Sequence, residues 1–167
     1  VAVSHNPQWG RYSETLGSDL PLVRKYGAAI VAGLQDNQDN QIHGVLANVK
    51  HFIGDGATWN GQDEGNVKVT DEARFLSVNK VGYLGAVNDA SVGSVMVSYS
   101  AINGLPMSFN KDLISNQLIS GKLLGEPFHG LIVSDYGAVE KAANQGLPAT
   151  KTHTPYAQAL AQAVDAG

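Results

Sequence analysis

Gly130-Leu131-Ile132-Val133-Ser134-Asp135-Tyr136-Gly137 is an apolar strand pattern that ends abruptly in a carboxylate, with a flexible glycine two residues later. A strand that delivers an Asp to its C-terminal edge puts a nucleophile-grade group where α/β barrels build their sites. Asp is equally a favoured N-cap for a helix that follows a strand, so these residues by themselves leave both readings open. Two further strand ends carry polar groups: Lys50-His51 closes an earlier strand, and Trp9-Gly10-Arg11 follows a third. Three strand ends equipped in this way point to one shared site.

Outward from that stretch, strand and helix signals alternate. Val1–Val3 reads as the tail of a strand. Leu22, Val23, Tyr26, Ala29, Ile30 and Leu34 recur at helical spacing, behind a capping Asp19 and with Pro21 in the first turn. Val45–Phe52 reads as the next strand, followed by a glycine-rich loop from Gly54 to Asn66 that is long for such a connection and therefore expected to be functional. A helix is expected over Thr70–Asn88 and a strand over Gly93–Tyr99. A turn at Asn103-Gly104-Leu105-Pro106, a helix over Lys111–Gly121, the Gly130–Ser134 strand and an Ala-rich helix over Tyr156–Ala166 complete the pattern. Repeating βα units of this kind make a parallel α/β sheet. About four such units are fewer than a closed (β/α)8 barrel of ~250 residues requires. The pattern fits either an open doubly wound sheet or part of a (β/α)8 barrel, and the chain reads as an internal piece of a longer protein.

Composition narrows the function classes. The 167 residues, 43% hydrophobic, suffice for a substantial core. A net charge of −4 with 11 Lys and Arg lacks the clustered basic face of a nucleic-acid binder. The absence of cysteine excludes disulfides, thiolate metal sites and cysteine nucleophiles. No apolar run approaches the ~18 residues of a membrane span. Neither G-x-G-x-x-G nor a Walker lysine motif is present, and the acidic centre of Gly54-Asp55-Gly56 would repel phosphate. No His, Asp or Glu spacing resembles a metal site. Neither metal nor cofactor is expected.

The chain resembles the family 3 glycoside hydrolases, chiefly their β-glucosidase and exo-β-glucanase branch. The resemblance is carried by Asn6-Pro7-Gln8-Trp9-Gly10-Arg11, by Glu14 with Gly17 and Asp19, and by Lys50-His51-Phe52-Ile53-Gly54-Asp55-Gly56. Ser94–Tyr99 with Ile102-Asn103-Gly104, and Val133–Gly137, continue it in the same order. It implies a retaining exo-acting hydrolase that releases glucose from the non-reducing end of β-glucosides or β-glucans. It also implies that residues 1–167 are about four parallel βα units of a catalytic (β/α)8 barrel, incomplete on their own, whose upstream strands and following α/β sandwich domain lie outside these residues. By the resemblance Asp135 is the nucleophile, while Arg11, Lys50 and His51 hold the sugar hydroxyls; Tyr99 at the end of the third strand, Trp59 in the polar loop Thr58-Trp59-Asn60-Gly61 and Tyr136 beside Asp135 are further candidates for binding the sugar. Its acid/base carboxyl would come from the second domain, so the isolated chain is expected to be inactive. Family habit places such enzymes outside the cell or in the periplasm. His5-Asn6 and Ser13 depart from the family pattern at positions that bear on substrate detail.

The chemistry of the residues is consistent with those roles. A retaining glycosidase needs one carboxylate beneath the anomeric carbon and a protonatable carboxyl ~5 Å away across it. Sugar hydroxyls donate and accept, so Lys50, Arg11 and His51 suit their orientation. Alternatives stand beside each: Arg11 paired with Glu14 or Asp19 on the surface, Lys50 a solvated strand end, His51 a satisfied core histidine. Trp9 could stack on a pyranose or simply pack, and Asp55 and Asp63 could cap loops or brace the Lys50-His51 turn. Successive strand residues point to opposite faces, so Lys50 and His51 reach one ligand together only if the backbone between Lys50 and Phe52 is irregular. Two alternative classes remain: a non-catalytic carbohydrate-binding or structural half-barrel, and the β-N-acetylhexosaminidase branch. The latter usually shows Pro-Gly-His where this chain has Ile53-Gly54-Asp55.

Overall fold

The computed structural model describes residues 1–38, 41–144 and 155–167. Helix α1 spans Leu20–Gln35; the Asp19 side chain accepts from Leu22 N–H, and Pro21 occupies the first turn, where its missing N–H is not needed. Val23, Gly27, Val31 and Gln35, four apart, form its buried face. The next elements are a short antiparallel pair, β1 (Asn37–Gln38) with β2 (Gln41–Ile42), and then the longer strand β3 (Asn48–Phe52). The buried amide of Gln35 locks helix to sheet: Oε1 accepts from Ala47 N–H at 3.2 Å and Gly93 N–H at 2.8 Å, while Nε2 donates to Ser91 C=O at 3.0 Å. A polar residue on the inward face of α1 thereby sets where two barrel strands begin.

Strand β4 (Asn66–Val67) ends the glycine-rich loop, and helices α2 (Glu72–Asn79) and α3 (Val81–Tyr83) continue into a π-helical segment, Leu84–Asp89. The cap of α2 is Asp71, which accepts from Arg74 N–H. Then come β5 (Ser94–Val97), β6 (Ala101–Ile102), β7 (Leu105–Pro106), a π-helical Asp112–Ile119, β8 (Leu131–Ser134), α4 (Ala138–Asn144) and α5 (Pro155–Ala166). The β6–β7 hairpin turns on Asn103 (φ 50°) and Gly104 (φ 86°), the left-handed pair that a two-residue hairpin requires.

Among the described residues the barrel sheet is three parallel strands in the order β3-β5-β8. Val1–Val3, expected as the tail of a strand, is not one: its Val1 nitrogen bonds Lys50 C=O at 3.0 Å, and a single bond is not a ladder. The inner faces of the strands and the helices behind them bury Phe52, Ile53, Val95, Val97, Met107 and Leu118. Phe52 packs edge-on against Tyr83, centroids 5.1 Å apart. β8 is one of the two edges of this sheet, with Leu131 62% exposed. The fold is a part of a (β/α)8 barrel.

β3 carries the irregularity expected between Lys50 and Phe52. Its register against β5 runs Val49↔Val95 and then Phe52↔Val97, so Lys50 and His51 together face the single residue Met96. The Lys50–His51 and Phe52–Ile53 peptides are cis. One extra residue in a strand turns two successive side chains toward one side.

Gly56 shows how tightly the following turn is seated. A Cβ there would lie 2.3 Å from Val3 C=O and 2.6 Å from Ser4 Cβ. Backbone offers no rotamer by which to withdraw, so Gly56→Ala is expected to destabilise the domain by about 2 to 3 kcal/mol. Thermal unfolding of the full-length protein should show this as a fall of several degrees in Tm.

Candidate active site

The C-terminal ends of β3, β5 and β8 converge, which is the face on which barrels of this class carry chemistry. Asp135 follows β8 directly. Its carboxylate does not cap α4: Oδ1 accepts from Tyr136 N–H at 2.8 Å, and Oδ2 lies 3.3 Å from His51 Nε2. Buried His51 bridges to a second carboxylate, with Nδ1 2.6 Å from Asp55 Oδ2. Asp55, on the turn after β3, also accepts from the Ser98 hydroxyl just beyond β5. Three strand ends are thus joined side chain to side chain.

Two adjoining clefts open here. One, of roughly 110 Å³, is lined by Trp9, Arg11, Glu14, Lys50, His51 and Asp55 among others. The other is a notch of roughly 10 Å³ where Arg11, His51 and Asp55 meet Tyr99, Glu64 and Asp135. Lys50 and His51 therefore do line one cavity, as the extra residue in β3 allows. Two larger cavities, of about 450 and 340 Å³, lie beside α2 and include none of Arg11, Lys50, His51 or Asp135.

Arg11 satisfies two readings at once. It grips Glu14 through two bonds, Nε to Oε1 at 2.9 Å and Nη2 to Oε2 at 2.7 Å, while lining both clefts. The bond to Arg11 holds the Glu14 carboxyl below its ordinary range, and the same bond raises the guanidinium further. So exposed a pair adds little to stability; its effect is to fix where the planar fork points.

Tyr99 is half-buried at the notch. Burial and the charges of Asp135 and Glu64 push its hydroxyl up, so it is a neutral donor. The ammonium of Lys141 sits 4.9 Å above the Tyr99 ring and pairs with Glu64. Trp9 is buried and donates Nε1–H to Asp63 at 3.2 Å, so it clasps the glycine-rich loop while its side chain edges the Lys50 cleft. Trp59 and Tyr136 are placed differently. Trp59 is 54% exposed beneath the ammonium of Lys68, 3.8 Å from its ring centre, and Tyr136 is 92% exposed on the rim; neither lines the two clefts.

The family model described as "Glycosyl hydrolase family 3 N terminal domain" matches residues 1–167. The chain belongs to that family. Among relatives of this family-3 chain, the periplasmic beta-glucosidase of Salmonella typhimurium is 31% identical over 152 residues, 89% of this chain and 19% of that protein. Beta-D-xylosidase 1 of Arabidopsis thaliana is 35% identical over 170 residues, 100% of this chain and 21% of that one. The crystal structure of an exo-1,3/1,4-beta-glucanase from a Pseudoalteromonas species superimposes with a TM-score of 0.76 at 30% identity, over 99% of this chain and 24% of that one. The chain thus spans about a fifth to a quarter of the length of these relatives.

Glu64 and Lys141 in this family-3 domain escaped the reading from sequence. Their partnership links a loop to a helix 77 residues away, and the only signal for Glu64 was its place in an unusually long loop. Among the described residues no group of three or more His, Asp or Glu is arranged to hold a metal ion, and no helix is long and apolar enough to cross a membrane.

Proposed function

We propose that these residues form the nucleophile-bearing part of a retaining, exo-acting β-glycoside hydrolase that releases glucose from the non-reducing end of β-glucosides or β-glucans. The observation that carries this reading is the Asp135 carboxylate at the end of β8, oriented by Tyr136 N–H and facing His51, beside a cleft rimmed by Arg11 and Lys50. Asp135 attacks the anomeric carbon; the new bond to its oxygen forms as the glycosidic C–O bond breaks, giving a covalent glycosyl-enzyme that water then hydrolyses. Arg11, Lys50 and His51 hold the sugar hydroxyls, so the ring is presented at one depth and angle.

The departing oxygen needs a proton. Asp55, Asp63 and Glu64, the other carboxylates around the notch, are engaged by His51, Trp9 and Lys141. The proton is therefore assigned to a carboxyl outside residues 1–167, on the longer polypeptide that the coverage of the relatives supports. The exposed Leu131 at the sheet edge is consistent with further barrel strands covering it. Without that carboxyl the 167-residue piece has no turnover. A periplasmic or extracellular setting follows from the same reading, supported by the name of the Salmonella relative.

A second reading, a β-xylosidase, is favoured by the 35% identity to the Arabidopsis protein. One experiment tests both. The full-length protein is incubated with 2-deoxy-2-fluoro-β-glucosides and -xylosides bearing a dinitrophenolate leaving group, then digested and analysed by mass spectrometry. Stoichiometric label on the Asp135 peptide is expected, with the glucoside labelling faster. Faster labelling by the xyloside would select the second reading, and label on another carboxylate would remove Asp135 as nucleophile.

A further inference from the structure

The geometry points to Asp55 and Ser98 as positioning residues that dictate which nitrogen of His51 faces Asp135, an inference that rests on the reading of Asp135 as nucleophile. The linkage starts at the backbone. Ser98 is 1% exposed, and its N–H donates to Phe52 C=O at 2.7 Å, which pins the end of β5 to the end of β3. Its Oγ accepts from Ser100 N–H at 2.8 Å. A hydroxyl has one proton to give, and this one goes to Asp55 Oδ1.

Asp55 in turn offers only acceptors. With Oδ1 taken by Ser98, Oδ2 stands 2.6 Å from His51 Nδ1, so that nitrogen carries a proton. In an imidazole the bond made by one nitrogen determines the role of the other. Nε2 is accordingly the nitrogen turned to Asp135 Oδ2, 3.3 Å away, and to whatever enters the cleft. The chain Ser100–Ser98–Asp55–His51–Asp135 transmits backbone geometry from one strand end to the reacting carboxylate on another. Asp55 and Ser98 touch no substrate in this scheme; they act through the ring.

Asp55→Asn tests this at nearly constant shape. The Ser98 proton still needs an acceptor, so the amide oxygen stays on Ser98 and the amide nitrogen faces Nδ1. The proton must then leave Nδ1 for Nε2. In the full-length protein labelled with [15N]histidine, long-range 1H–15N spectra should show His51 protonated at Nδ1 in the wild type and only at Nε2 in Asp55→Asn. The value of kcat/KM for an aryl β-glucoside should fall roughly 100-fold in the variant, the scale on which such supporting bonds act, with unchanged circular dichroism.

An unprotonated Nδ1 in the wild type would overturn the inference, as would an Asp55→Asn variant whose imidazole signals and kcat/KM match the wild type. Should the variant not fold, the wild-type spectrum alone decides. If the full-length protein hydrolyses no glycoside, the functional reading fails, yet the dependence of the Nδ1 proton on Asp55 still supports or refutes the positioning role.

Discussion

Asp135→Gly in the full-length protein is expected to lower kcat for an aryl β-glucoside by roughly 10⁴-fold or more, because the covalent route is closed once its nucleophile is removed. Glycine keeps the backbone and leaves a space where the carboxylate stood. Azide placed in that space can attack the anomeric carbon when the leaving group needs no protonation, so millimolar azide should restore turnover and yield the α-glycosyl azide. That product has the inverted configuration of a single displacement, and it identifies the position of Asp135 relative to the sugar. Stability should barely change: the side chain is 15% exposed, accepts from Tyr136 N–H, and otherwise only faces His51 Nε2 at 3.3 Å. Turnover within tenfold of wild type would show that Asp135 is not the nucleophile.

The second large effect is expected at His51. Here activity and stability fall together, because the imidazole joins Asp135 to Asp55 with side chains 7% and 8% exposed on its Asp55 side. His51→Ala leaves Asp55 buried with only the Ser98 hydroxyl, and an abandoned buried carboxylate costs about 3 kcal/mol or more. The Tm should drop by several degrees, and kcat/KM should fall roughly 100-fold through loss of sugar orientation. His51→Gln separates the two: an amide N–H can still reach Asp55, so much of the stability returns while kcat/KM stays low. A His51→Ala protein that melts like wild type would mean that the Asp55 bond contributes nothing to the fold.

The elements that were legible are those whose signals are local. Asp19 and Pro21 start α1 because a cap and a fixed φ act within one turn, and Asn103-Gly104 makes the hairpin because both residues tolerate positive φ. Val1–Val3 misled for the complementary reason: its β-branched residues suit a strand, but a strand exists only where a neighbour supplies a ladder. The candidate site divides in the same way. Asp135 could be located from an apolar run that stops at a carboxylate, and the conflict between Lys50 and His51 on a regular strand foretold the extra residue in β3.

Trp9 and Trp59 illustrate the limit. Both are aromatic residues close to glycines, yet one is buried against Asp63 and the other lies out under Lys68. Nothing within a few residues of either distinguishes them.

Sequence alone therefore determined the order of the three barrel strands and of the principal helices, the family, and the strand ends at which the candidate side chains appear, since periodicity, capping and motif spacing are written within short stretches of chain. The tertiary structure decided which side chains meet: that His51 stands between Asp55 and Asp135, that Ser98 completes the chain, and that Glu64 is held by Lys141. Those contacts arise when parallel strands far apart in sequence are laid side by side and their ends brought onto one face. A hydrogen bond of under 3 Å depends on that closure to a fraction of an ångström, which residue types and spacing do not encode.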